Sequence, residues 1–217
     1  NKTALEDVYL PYKPKRRTKA QMAREAGLEP LALGLLANPL LDPQAEAGRY
    51  LKPDLGFADA AAALEGARQI LMERFAENPA TVAALRETIW EEGVLSSRVA
   101  AGQAAAGAKF QDYFDYEEAI ARIPSHRALA LYRGQNEDIL DLALKPGKDE
   151  AAAHEAAQGV MAHQEGIALQ YRSADRWLAD CVRLAWKIKL FPRIDLDLRQ
   201  RLKETAVEEA IRVFALN

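Results

Sequence analysis

Apolar residues along this chain recur mostly every three or four positions, the period of a helix buried along one face. Between residues 59 and 77, Leu64, Ala67, Leu71 and Phe75 share a face; between 79 and 92, Val82, Leu85 and Ile89 do the same. The clearest stripe is Trp177, Cys181, Leu184, Ala185 and Ile188, expected to end in a break at Pro192. Leu198, Leu202, Ala206, Ala210 and Phe214 then mark a closing helix. Cap signals agree with these periods. Thr18 followed by Gln21 reads as a capping box, with Gly27 as the stop of a helix over 18–26. Asp42-Pro43 and Asn78-Pro79 each join a cap residue to a proline at the first helical position. The period shortens to two only at Leu140, Leu142 and Leu144, ahead of Pro146-Gly147, which predicts a short strand. Residues 93–124 are irregular, with Gly93, Gly102 and Gly107 interrupting them and aromatics at Phe110, Tyr113, Phe114 and Tyr116. The pattern predicts a mainly all-α fold, a multi-helix domain with at most a small β hairpin around 95–145. Residues 1–217 read as one helical body with a weak sub-boundary near 145–155.

Composition points the same way. Alanine, the best helix former, accounts for 42 of 217 residues. The single cysteine, Cys181, excludes an internal disulfide and suits a reducing, cytoplasmic setting. The longest uncharged run, residues 30–41, is 12 residues long with two prolines and a glycine, too short and too broken to span a membrane. A first residue other than methionine suggests a fragment of a longer chain. Charge changes the picture more. The net charge is −3, yet residues 1–24 carry +5 and the remaining 193 carry −8. A basic head sits on an acidic body.

Most motifs that resemble catalytic ones fail on spacing or residue type. Residues 102–109, G-Q-A-A-A-G-A-K, approach a phosphate-binding loop, but Lys109 comes one place late and Phe110 stands where a metal-holding hydroxyl belongs. His154-Glu155 opens H-E-A-A-Q; Gln158 cannot replace a second imidazole, and His163 lies more than two turns from His154. Ser125 follows Pro124 and reads as a helix cap, which leaves His126 without a nucleophile to activate. The acidic groups Asp112, Asp115, Glu117, Glu118, Asp195 and Asp197 have no neighbours in sequence that would desolvate them, and Asp195 reads as a cap of the last helix. Cys181 lies on an apolar stripe, where a thiol is inert. The expectation is a chain with no catalytic residue, no cofactor, no metal and no small-molecule substrate. The runner-up enzymatic reading is a metal-dependent hydrolase built on His154 and Glu155.

Two basic features remain. Lys13, Lys15, Arg16, Arg17 and Lys19 mix with Tyr9, Tyr12 and two prolines, a combination that can grip a phosphate backbone. The alternative for the same residues is pairing with acidic residues of the body. Arg172, Arg176, Arg183 and Lys187 share a second helical face, with Asp180 among them. Residues 18–28, T-K-A-Q-M-A-R-E-A-G-L, have the look of the first helix and turn of a helix-turn-helix. The helix that follows, E-P-L-A-L-G-L-L, is acidic and then apolar, so it is expected to enter a core rather than a DNA groove.

Four blocks carry a resemblance. They are L-E-D-V-Y-L-P-Y-K-P-K-R-R-T-K-A-Q-M-A-R-E-A-G-L-E-P-L-A at 5–32, A-L-E-G-A-R-Q-I-L-M-E-R at 63–74, D-Y-F-D-Y-E-E with I-P-S-H-R-A-L-A-L-Y-R-G within 112–134, and E-E-A-I-R-V-F-A-L-N at 208–217. In this order they resemble the Tex family of bacterial transcription accessory proteins over the whole chain. Two positions depart from the family pattern: Gln135 replaces the usual acidic residue, and Pro192-Arg193-Ile194-Asp195 replaces proline-serine-isoleucine-glutamate. The resemblance implies the N-terminal helical portion of a multidomain protein related to a eukaryotic transcription elongation factor. It further implies an RNase H-like domain, helix-hairpin-helix elements and a C-terminal OB-fold RNA-binding domain beyond this stretch. The expected role is a helical scaffold in a cytoplasmic protein that meets RNA or DNA and the transcription machinery, with no membrane partner. A non-specific nucleic-acid module acting through the basic head is the alternative.

Overall fold

The computed structural model of the chain describes residues 17–215, the Phe214 side chain excepted. The fold is mainly α-helical with one small antiparallel sheet, as the periodicity predicts. Among the described residues two compact units form, one from the stretch up to Glu73 with Tyr171–Trp177, the other from Arg74–Gln170 with the stretch from Leu178 onward. Residues 145–155 lie wholly inside the second.

The first unit contains α1 (Lys19–Glu25), α2 (Glu29–Ala37), α3 (Pro43–Ala47) and most of α4 (Ala60–Glu77). Thr18 caps α1 by accepting a hydrogen bond from the Gln21 amide at 3.0 Å. Only half of the expected capping box forms, because the Gln21 side chain turns forward to Glu25 instead of back to Thr18. Gly27 takes φ +81° and ends the turn, a conformation that favours glycine. Leu31, Ala32 and Leu35 of α2 are buried, as its apolar sequence predicts. Asp42 caps α3 through the Ala45 amide at 2.7 Å. Asp59 accepts from the Ala62 amide at 2.8 Å at the start of α4. Leu64, Ala67 and Leu71 of α4 are all buried.

The second unit begins with α5 (Pro79–Glu92), capped by Asn78, whose side chain accepts from the amides of Ala80 and Thr81. Val82, Leu85 and Ile89 are its buried face. Three strands follow, interleaved with helix: β1 (Val94–Val99), β2 (Asp115–Ala119), α6 (Ser125–Asn136) and β3 (Leu140–Lys145). The sheet order is β2-β1-β3, with Ser96 opposite both Glu117 and Ala143. Burial alternates along β3, as its leucine period predicts. The hairpin expectation falls one strand short, since β1 is central and pairs on both edges. Ser96 and Ser97 are buried there without a lost hydrogen bond, because their hydroxyls donate to the Ala143 and Tyr113 carbonyls at 3.1 and 2.8 Å.

After α7 (Glu150–Gln164), the chain forms α8 (Asp175–Leu184), a π-helical segment (Ala185–Leu190) and α9 (Phe191–Ala215) without interruption. The break expected at Pro192 is absent. Proline has no amide hydrogen and its ring crowds the carbonyl four residues back, which normally ends or kinks a helix. Here the turn just before it is widened, with the Phe191 amide donating to the Trp186 carbonyl five residues back. The buried stripe also differs from the expected one. Cys181 and Ala185 remain on it, Trp177 and Leu184 are only half-buried, and Ile188 is exposed. The continuing stripe is Trp186, Leu190, Ile194, Leu198, Leu202 and Ala206. Helix α9 packs on α6 and α5, with the Tyr132 hydroxyl donating to the Arg199 carbonyl at 2.6 Å and Arg201 lying 4.1 Å over the Trp90 ring.

Candidate nucleic-acid interface

Of the basic head, Lys13, Lys15 and Arg16 lie outside the described residues; Arg17 and Lys19 lie within them. Arg17 pairs with Glu25 at the far end of α1, both side chains well exposed. Lys19, the first residue of α1, is exposed. The neighbouring cation Arg24 is bound differently. Its Nη1 lies 2.5 Å from Glu73 Oε1, and this hydrogen bond, more than any charge effect, raises its pKa further. Thr18 donates to the other oxygen of Glu73 at 3.2 Å. Both ends of α1 are therefore held by one carboxylate of α4, within the first unit.

The second cationic face is divided. Arg172 precedes α8 and donates through Nε to Asp175 at 2.9 Å. Arg176 is exposed. Arg183 pairs with Asp180 at 3.1 Å, one turn away. Lys187 is exposed.

Several residues of the other candidate motifs make structural contacts. Lys109 pairs with Glu137, and residues 108–113 form a 3-10 turn rather than the N-terminus of an α-helix. Ser125 does not cap α6, contrary to expectation. Pro124 holds the cap position, and the serine hydroxyl donates to Glu209 of α9. His126 is exposed. Asp115 and Glu117 clasp Arg98 at 2.8 and 2.9 Å. Lys145, 2.7 Å from Glu117, holds that carboxyl below the usual range. Glu118 meets Arg127 at 3.3 Å and accepts from the Tyr116 hydroxyl, whose pKa burial pushes up. Asp195 is not a cap either. It lies inside α9, where burial raises its carboxyl pKa and Arg199, at 3.0 Å, partly opposes the shift. Cys181 is buried. Among the described residues no three His, Cys, Asp or Glu side chains converge as metal ligands, and no helix is long and apolar enough to cross a membrane.

Sequence reasoning passed over one constellation in the second unit. His154 and Gln158 of α7, Arg183 of α8, Trp186 and Lys187 of the π-helical segment and Phe191 of α9 line a cavity of about 590 Å³. Trp186 Nε1 donates to His154 Nδ1 at 2.9 Å. The Phe191 ring centroid is 4.9 Å from that of His154 and 5.1 Å from that of Trp186. The sequence carried a signal, W-K-x-x-x-F with an i,i+4 pair of cations, but in a regular α-helix residues five apart point away from each other, so the two rings do not read as a pair.

Comparison with known proteins agrees with the resemblance. Residues 38–214 match the family model described as Tex central region-like. That description names a central region, where the resemblance implied an N-terminal one. The chain is 48% identical over 219 residues to the transcriptional accessory protein Tex of Neisseria gonorrhoeae, and 46% identical over the same length to protein YhgF of Escherichia coli. An uncharacterized protein of Neisseria meningitidis is 48% identical. In each case all of this chain is covered but only 28% of the relative, so the chain spans a little over a quarter of their length. The chain belongs to the Tex family.

Proposed function

We propose that this chain is a helical scaffold portion of a transcription accessory protein. The full-length protein would associate with RNA or DNA mainly through regions outside this stretch, and would do so in the cytoplasm. Membership of a family with a relative named transcriptional accessory protein supports the setting. The observation that carries the scaffold role is the fate of α2. The helix in the position of a recognition helix buries Leu31, Ala32 and Leu35 and leaves Glu29, Pro30, Leu33 and Ala37 exposed, a face that is apolar apart from one acidic residue and carries no donor for base edges or phosphates. On this reading the chain performs no reaction of its own. The Arg17–Glu25 pair supports a structural part for the head, as an exposed pair worth about 0–1 kcal/mol.

The test neutralises Lys13, Lys15, Arg16 and Arg17 together, then follows RNA and DNA binding against salt alongside thermal unfolding. Unchanged binding with slightly lowered stability is expected. Binding that collapses in the variant would overturn the reading and restore the phosphate-gripping head.

A further inference from the structure

The cavity beside the π-helical segment has no part in the scaffold role. In a regular α-helix, residues five apart lie roughly 140° away from each other around the axis. The Phe191-to-Trp186 hydrogen bond closes a wider turn and brings their rings together on one side. Insertions of this kind concentrate at functional sites. Arg183 and Lys187, one regular helical turn apart, also line the cavity.

Its chemistry is mixed in a particular way. His154 accepts from Trp186 at Nδ1, so a neutral imidazole carries its proton on Nε2, as a donor. The nearest carboxylate oxygen to Nε2, of Glu150, is 3.7 Å away, beyond hydrogen-bond range. Gln158 donates one amide hydrogen to the His154 carbonyl at 3.2 Å, keeping its other groups available to the cavity. His154 and Phe191 are part-exposed, and no ion pair engages Lys187 among the described residues. The opposing charges are Asp180 and Glu150, both on the solvent side. Asp180 engages Arg183 only in an exposed pair within one helix, which is readily exchanged for a phosphate.

We propose that this cavity binds a nucleotide, its base against Phe191 and His154 with Gln158 at its edge, and its phosphate on Arg183 and Lys187. Aromatic walls with two cations at one end suit an aromatic ring that carries an anion. A volume of about 590 Å³ is adequate for such a unit. The nucleotide is either free or one member of a single strand. This site goes beyond the scaffold reading and does not depend on it.

The test uses the whole chain, uridine and adenosine monophosphates by calorimetry, and a fluorescent ten-nucleotide oligouridylate by anisotropy. Arg183→Ala with Lys187→Ala is expected to weaken strand binding at least tenfold and to reduce its salt slope by about 1.4, two contacts at ~0.7 each. Gln158→Ala and Phe191→Leu should weaken binding with the slope unchanged. Lys187→Glu, at an exposed position, serves if Phe191→Leu melts early. Monophosphate binding that is lost in Lys187→Glu supports a free nucleotide; strand binding alone, lost in the same variant, supports a strand. Three results overturn the proposal: pocket variants that bind as the unaltered chain does, an equal loss when two exposed cations of the same unit that do not line the cavity are removed as a control (Arg122→Ala with Lys148→Ala), or inorganic phosphate binding as tightly as the monophosphates. Loss through the head variants alone would sink this site and would equally count against the scaffold reading, whereas loss through the pocket variants alone leaves that reading intact.

Discussion

Two glycines show how position decides the sign of one substitution. A Cβ on Gly134 in α6 would lie 2.4 Å from Leu140 Cδ1 and 2.7 Å from its Cγ, and Leu140 is itself buried. Overpacking of this kind costs about 1–3 kcal/mol, against a helix-propensity gain of roughly 1 kcal/mol. Gly134→Ala should therefore lower stability by up to about 2 kcal/mol. Gly159 in α7 is exposed, and nothing stands within 4 Å of its Cβ position. Gly159→Ala should raise stability by roughly 0.5–1 kcal/mol. Denaturant titrations of both variants check the pair. Asp195 gives a pH dependence. Burial raises its pKa in the folded chain, so above the unfolded value the native state holds the proton more tightly than the unfolded state does. Stability from this group then falls as pH rises through the folded pKa. Relative to Asp195→Asn, the unaltered chain should be more stable near pH 3 than near pH 7, as thermal unfolding at the two pH values would reveal. An unchanged difference would contradict the raised pKa.

At the scale of elements, the π-helical segment is what joins α8 to α9. It lets Pro192 sit within a continuous helix, and it sets the register of everything after it. Ile188 is 58% exposed, so Ile188→Gln should change stability by no more than ~0.5 kcal/mol. A buried position would lose several times that. Inserting one alanine after Ile188 instead would add a residue beyond the one that the widened turn absorbs, and would turn the downstream helix by about 100°. Ile194, Leu198, Leu202 and Ala206, all buried, would leave the core together. Loss of a cooperative unfolding transition is expected, and circular dichroism during heating reads it. An insertion variant that melts like the parent would mean that this turn does not set the register.

At the scale of the molecule, the basic head and the acidic body limit what the chain can do with a polyanion. If all five head cations met phosphates of a single strand, the salt slope of the binding constant would reach about 3.5 at ~0.7 per contact. The acidic remainder, carrying −8, weakens that attraction. Binding of a random single strand to this chain should show a slope below that limit when anisotropy is measured between 50 and 200 mM salt. A steeper slope would mean that cations outside the head are engaged. The chain covers only 28% of its relatives, so its affinity and theirs are separate quantities.

The sequence by itself determined most of the helices, many of their ends and the family; α7 carried no stripe that marked it. Caps such as Thr18, Asp42 and Asn78 act within three residues of themselves, and a buried stripe repeats every turn, so both are written locally. The alternation of Leu140, Leu142 and Leu144 is local too, and β3 follows it. What the tertiary structure alone decided is everything that joins distant residues. Ser125 turned to Glu209 instead of capping its own helix, because α9 lies against α6. Asp195 became a partner for Arg199 inside α9, because the helix did not stop at Pro192. The cavity of His154, Trp186 and Phe191 rests on the same event. A proline's local preference is to break a helix; burial of the stripe from Leu190 to Ala206 favours carrying it on. One widened turn satisfies both, and no short-range pattern contains that balance.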